Sequence, residues 1–141
     1  MRPIDDTFFR KLAERKEFCE ELLQVILKKP ELKLIETIPQ RSFHNLDGCS
    51  VTVDVICKDS KGCYYSTEMQ KTDNDDHLKR VRYNRCNVDI YISEKGTKFR
   101  VLPDVYMIYI SSFDPFKMGK TLYHVTRTLE ETGRKGARRN V

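Results

Sequence analysis

The sequence predicts an α/β protein in which helices flank a mixed β-sheet. Apolar residues recur at helical spacing near the amino terminus, two short alternating runs are joined by a turn, and a second helical segment leads to a short apolar run. A hairpin next to strands joined through a helix needs both antiparallel and parallel pairing. The expected order is helix, strand, strand, strand, helix, strand, helix.

The first elements are a helix and a short strand. Residues 5–29 carry apolar side chains at mostly helical spacing, which predicts one helix, with a break within residues 14–17 as the alternative. Pro30 ends this helix, since proline cannot continue the helical hydrogen bonding. Residues 32–38 alternate between apolar and polar side chains and predict a strand that stops before Pro39.

A hairpin is expected next. Residues 50–57 and 63–70 are rich in β-formers and are separated by Lys-Asp-Ser-Lys-Gly, a turn composition in which Gly62 can adopt a positive φ.

Two helices and a strand follow the hairpin. Residues 75–93 predict a helix after an acidic first turn, residues 105–110 predict a buried central strand, and residues 120–132 predict a weaker helix. The apolar stripe expected on the first of these helices consists of Leu78, Val81, Arg85, Val88 and Ile92.

Composition predicts one domain, residues 1–133, followed by a basic and disordered tail, residues 134–141. The net charge of +5 gives little support for DNA binding, because four basic residues of the tail supply most of it. Five scattered cysteines indicate a reducing compartment, and no run has the length of a membrane span. We therefore expect a cytoplasmic protein without membrane association.

The hairpin carries the candidate chemistry. Side chains alternate across a strand, so Glu68 and Gln70 project from one face of its second strand. Asp54 on the first strand joins that face if paired residue numbers add up to an even value, and an odd value separates it by the thickness of the sheet.

Converging carboxylates repel each other unless a cation binds between them. Mg²⁺ or Mn²⁺ is the expected ion, with Asp54 and Glu68 as its oxygen ligands. Gln70 cannot titrate, so it can orient a water or bind a phosphate oxygen but cannot act as a charged base. On residue types alone, the alternative to a metal site is that Asp54 and Glu68 are two solvated side chains on a half-exposed sheet.

Several motifs in order give the chain a family resemblance. Over residues 5–133 it resembles bacterial PD-(D/E)xK nuclease family transposases of the restriction-endonuclease-like superfamily. The motifs are V-D-V at 53–55, T-E-M-Q at 67–70, K-R-V-R-Y-N at 79–84, P-D-V-Y-M-I-Y-I-S at 103–111, F-D-P-F at 113–116 and Y-H-V at 123–125.

The resemblance implies a restriction-endonuclease-like αβββαβ core, with catalytic positions at Asp54, Glu68 and Gln70. It implies a Mg²⁺-dependent deoxyribonuclease that hydrolyses DNA during transposition or recombination, with a homodimer as a candidate assembly. The family continues past Gly133 into further strand-forming sequence, whereas this chain ends in a basic tail. We therefore expect a truncated copy.

The helix after the hairpin carries the expected DNA contacts: Arg80, Arg82, Tyr83 and Arg85. The alternative role of Arg85 is to cover the surface of the core with its aliphatic part. The alternative role of Tyr83 is to pack at the edge of the core. His77 is expected to be a solvated residue at the helix start.

Two other functions stay open. A catalytically inactive remnant could bind DNA through its tail and the helix of residues 80–85, with salt-sensitive affinity that needs no metal. A protein-interaction domain without any nucleic-acid role is the third interpretation.

Overall fold

The computed structural model of the chain describes residues 6–44, 50–93 and 96–127, and it has an α/β architecture. Within these ranges the chain forms three α-helices and four strands: α1 (Asp6–Ala13), α2 (Lys16–Leu27), β1 (Leu34–His44), β2 (Ser50–Asp59), β3 (Tyr64–Gln70), α3 (His77–Ile92) and β4 (Val105–Ser111). The strands form one mixed sheet in the order β1-β2-β3-β4, antiparallel at the first two junctions and parallel at the third. None of the helices within these ranges is long and apolar enough to cross a membrane.

The first helical segment is broken within residues 14–17, as the alternative expected. Arg15 has an extended backbone, with φ −94° and ψ 114°, and its N–H donates to the carbonyl of Leu12. The two helices nevertheless contribute to one core cluster through Phe9, Ala13, Cys19 and Leu23.

β1 continues past Pro39, so the prediction that this strand stops there is wrong. Pro39 pairs with Val55 of β2, and β1 lies at an edge of the sheet that the described residues form. An edge strand tolerates proline because one of its sides has no neighbouring strand that needs an N–H donor.

The predicted hairpin of β2 and β3 is confirmed, and Asp59 organises its turn. Asp59 Oδ1 accepts the backbone N–H groups of Lys61 (2.9 Å) and Cys63 (2.8 Å), and Oδ2 accepts the Tyr65 hydroxyl (2.8 Å). Gly62 takes φ +85°, a conformation that side chains disfavour.

β4 is a parallel partner of β3, reached through α3. The prediction of a central strand is wrong, because β4 lies at the edge of the sheet formed by the described residues. Val105 and Ile108 are nevertheless buried, one on each face. The apolar composition of β4 therefore indicates that both of its faces are covered. It does not indicate that the strand has a neighbouring strand on each side.

Helices cover both faces of the sheet. Val55, Cys57, Tyr65 and Ile108 belong to the cluster that includes the buried residues of α1 and α2. Ile56 and Val105 pack on the opposite face with Val88 of α3. The face under α3 is the one that also carries the even-numbered residues of β3.

The apolar stripe predicted for α3 is wrong at its start. The buried residues of this helix are His77, Asn84, Asn87 and Val88, whereas Leu78 is 60% exposed. The reason is that the sheet beneath this turn carries polar side chains, so the helix turns polar residues toward it.

The predicted carboxy-terminal helix is absent over residues 120–127. Asp114 instead holds the preceding segment in a turn, since its carboxylate accepts the N–H groups of Phe116 (3.0 Å) and Gly119 (2.7 Å) and the hydroxyl of Tyr123 (2.8 Å). The rest of that predicted helix and the basic tail, residues 128–141, lie outside the described residues.

Candidate metal and carboxylate site

The register of the hairpin brings the predicted carboxylates to one face. Val55 pairs with Thr67 and Ile56 with Ser66, so paired residue numbers add up to an even value, as the prediction required. Asp54 and Glu68 are the next positions along the two strands, and both project toward the side covered by α3.

Asp54 also bonds to the backbone of β3. Beyond the last ladder pair, the N–H of Met69 donates to Asp54 Oδ2 at 2.8 Å. The partly buried carboxylate therefore bridges the two strands where their regular pairing ends, and this bond orients it next to Glu68.

Glu68 is a buried acid, only 6% exposed, with a polar side chain near each oxygen. Oε2 accepts the side-chain amide of Asn84, and Oε1 lies 3.6 Å from Nη1 of Arg80. Burial raises the pKa of Glu68 above its ordinary value; Arg80 and Asn84 oppose this, and the charge of Asp54 adds to it. The neighbouring carboxylate is thus close enough to repel Glu68.

Gln70 ends β3 on the same face as Glu68 and is partly buried. Its Nε2 donates to the backbone carbonyl of Thr72 at 3.0 Å. The amide is neutral at every pH, so it can orient or bind a ligand but cannot take up a proton as a base.

Arg80 connects the site to a second acid on α3. Nη2 of Arg80 lies 3.4 Å from Asp76 Oδ2, while Nη1 of the same guanidinium lies near Glu68. Among the described residues, Asp76 Oδ1 and Arg80 Nε are buried without a hydrogen-bond partner. Buried polar atoms normally have hydrogen-bond partners, so these two atoms can bond to a ligand or a water molecule.

A chain of hydrogen bonds flanks the site on the other side. Tyr109 of β4 pairs with Glu68 in register, and its hydroxyl lies 2.7 Å from His77 Nδ1. His77 Nε2 lies 2.7 Å from Asp73 Oδ1. The prediction that His77 is solvated is wrong: it is 8% exposed, because these bonds and the ring of Phe113 enclose it.

The other expected DNA contacts lie on the outer part of α3. Arg82 and Tyr83 are exposed, whereas Arg85 is partly buried and lies 3.7 Å from Asp89. Arg80 differs from them because it faces the carboxylates. The four side chains therefore do not form one surface.

The oxygen-rich site fits a hard divalent cation by its chemistry. Asp54 and Glu68 offer carboxylate oxygens and Gln70 an amide oxygen, the ligands that Mg²⁺ and Mn²⁺ prefer. A cation would also offset the charge of Asp54, which adds to burial in raising the Glu68 pKa. Within residues 6–44, 50–93 and 96–127, no cluster of three or more His, Cys, Asp or Glu is arranged to hold a metal. Two carboxylates therefore leave most of the coordination to water and substrate.

Sequence reasoning missed three residues at this site: His77, Asn84 and Tyr109. Asn84 and His77 could have been found by counting back along the helix from Val88, which places them on its buried face. Tyr109 had no local signal, because the parallel register of β3 and β4 follows from the fold as a whole.

The sequence matches no protein-family model, and neither a curated protein nor a solved structure matches the chain. Any function of the site has to be inferred from its own side chains and from the motifs of the sequence.

Proposed function

We propose that the chain is a metal-dependent DNA endonuclease of the PD-(D/E)xK type, associated with transposition or recombination. The observation that carries this proposal is the approach of two acids, Asp54 and Glu68, from neighbouring strands on one face of the sheet. The restriction-endonuclease-like fold belongs to the proposal, and the helix, three antiparallel strands, helix and parallel strand support it.

Each residue has a distinct role in the proposed reaction. Asp54 and Glu68 bind Mg²⁺ or Mn²⁺, and Gln70 orients a water or holds a phosphate oxygen. The ion supplies positive charge that lowers the pKa of a water and offsets the charge that develops on the phosphate. Arg80 is placed to contact a phosphate oxygen, since it lies beside Glu68 and is one-third exposed.

A plasmid-nicking assay with Mg²⁺ or Mn²⁺ tests the proposal. Asp54→Asn and Glu68→Gln remove one charged ligand each with little change in shape, and each should lower the rate by about 10²–10³-fold. Glu36→Gln is the matched control, because Glu36 is an exposed acid on β1. Equal rates for Asp54→Asn and the control would refute the assignment.

A cytoplasmic location and a homodimer belong to the same proposal. The cysteines within the described ranges are free thiols, Cys19, Cys57, Cys63 and Cys86, which is typical of a reducing compartment. A dimer would allow both strands of a duplex to be cut. Sedimentation with and without a short DNA duplex measures the assembly directly.

The outer face of α3 favours a second candidate function, DNA binding without catalysis. Lys79, Arg82 and Tyr83 are exposed there, and cationic side chains neutralise phosphates. Replacing Lys79 and Arg82 with alanine should then weaken binding and reduce the slope of log affinity against log salt by about 2. An unchanged slope would exclude this face as the contact.

A further inference from the structure

Tyr109 carries a phenol hydroxyl near the buried acid Glu68. This hydroxyl does not donate a hydrogen bond to Glu68. Tyr109 is the register partner of Glu68 on the neighbouring strand, so both side chains lie on the face under α3. Burial first and the charge of Glu68 second raise the pKa of Tyr109 to about 12. The hydroxyl is thus within electrostatic influence of Glu68, yet its hydrogen bond goes to His77.

The direction of the two bonds at His77 follows from the chemistry of its partners. The hydrogen bond from His77 lowers the pKa of Asp73, whose ionised carboxylate can only accept. Nε2 must therefore carry a proton. In the neutral imidazole Nδ1 is then a bare acceptor, so the Tyr109 hydroxyl donates its proton to it.

The imidazole is held in this arrangement by its surroundings. His77 begins α3 on the buried side, and its ring lies 4.7 Å from the ring of Phe113. Asp73 lies in the loop just before the helix. The Tyr109 proton is consequently bound by His77 and not by the carboxylate pair.

We propose that His77 is a positioning residue for this pair: by accepting the Tyr109 proton, it keeps that hydroxyl from donating to Glu68 and leaves the carboxylate open to a divalent cation. Glu68 already accepts a hydrogen bond from Asn84 and forms an ion pair with Arg80. A further donor would compete directly with a cation for the same oxygens. The inference rests on the proposed function, because it assumes that a cation binds at Glu68.

The test compares wild type, His77→Phe, Tyr109→Phe, the double variant and His77→Gln. His77→Phe removes the acceptor but keeps a ring against Phe113, and His77→Gln keeps one donor and one acceptor. The first measurement is the pH titration of the Glu68 carboxyl carbon by NMR, which needs no metal. The second is Mn²⁺ affinity by calorimetry, and thermal unfolding reports whether each protein is folded.

His77→Phe should lower the Glu68 pKa and weaken Mn²⁺ binding about tenfold, since a hydrogen bond to a charged group changes an equilibrium by at least that factor. Tyr109→Phe alone should resemble wild type. The double variant should recover both values, because the released hydroxyl is gone. A purely structural role of His77 would not be rescued by a second substitution, and His77→Gln should remain close to wild type.

The outcomes separate this inference from the proposed function. Identical Glu68 titrations in wild type and His77→Phe would overturn the positioning role even if wild type binds Mn²⁺. A lowered Glu68 pKa that Tyr109→Phe reverses would support the role of His77. If wild type also failed to bind Mn²⁺, the proposed function would be wrong and only the control of the Tyr109 proton would stand.

Discussion

Replacing Asn84 with alanine should destabilise the protein by an amount that depends on pH. Asn84 is 2% exposed, and its amide donates to Glu68 Oε2. At pH 8 the variant leaves a buried carboxylate without this donor, which costs about 1.5–3 kcal/mol in free energy of unfolding. At pH 4, below the unfolded-state pKa of about 4.3, Glu68 is largely protonated and the loss falls to about 1 kcal/mol.

The sign follows from proton binding by the folded and unfolded chains. Burial raises the folded-state pKa of Glu68, whereas the hydrogen bond from Asn84 lowers it. Loss of this donor in the variant therefore raises the folded-state pKa further. The folded variant therefore binds a proton more tightly than the unfolded chain. Its stability is fully present below the unfolded pKa and is lost as the pH rises through the folded pKa, more steeply than in wild type.

Urea unfolding followed by circular dichroism at pH 4 and pH 8 measures the effect. Asn87→Ala is the matched control: the same side chain is removed from the same helix, but Asn87 donates to the backbone carbonyl of Tyr83 at 2.9 Å. The control should lose about 1 kcal/mol at both pH values, because its acceptor does not titrate. An equal loss for Asn84→Ala at both pH values would refute the reasoning about Glu68.

Three further predictions concern stability. Glu68→Gln should raise the urea midpoint at pH 8 but not at pH 4, because burial raises the pKa of the ionisable side chain; a lower midpoint at pH 8 would contradict this. Tyr65→Phe should cost about 1.5–3 kcal/mol, since its buried hydroxyl donates to Asp59; a thermal midpoint equal to wild type would be inconsistent. Leu23→Ala should cost about 2–5 kcal/mol in urea unfolding, whereas Val25→Ala, on an exposed position of the same helix, should cost less than about 0.5 kcal/mol.

The hairpin was accessible to sequence reasoning because it is local. A two-residue period and a turn containing Gly62 define β2 and β3. Because side chains alternate along a strand, Asp54 and Glu68 lie either on the same face of the sheet or on opposite faces. The choice between those outcomes came from the structure. Pro39 misled the prediction, because whether proline is tolerated depends on the position of its strand in the sheet.

The surroundings of Glu68 could not be predicted, because they depend on long-range packing. Leu78 indicated an apolar stripe, but polar side chains of the sheet draw His77 and Asn84 to the buried side of α3. β4 looked central because its faces are apolar, and only the topology shows it at an edge. Periodicity identifies helices and strands, whereas a polar interface between them reverses the usual pattern.

Anomalous scattering from a crystal soaked in Mn²⁺ tests the shared cation most directly. We predict a peak within coordination distance of both the Asp54 and the Glu68 carboxylates, and its loss in the Asp54→Asn protein. A soaked crystal without a peak there, or a peak that persists after Asp54→Asn, would contradict joint binding by the two acids.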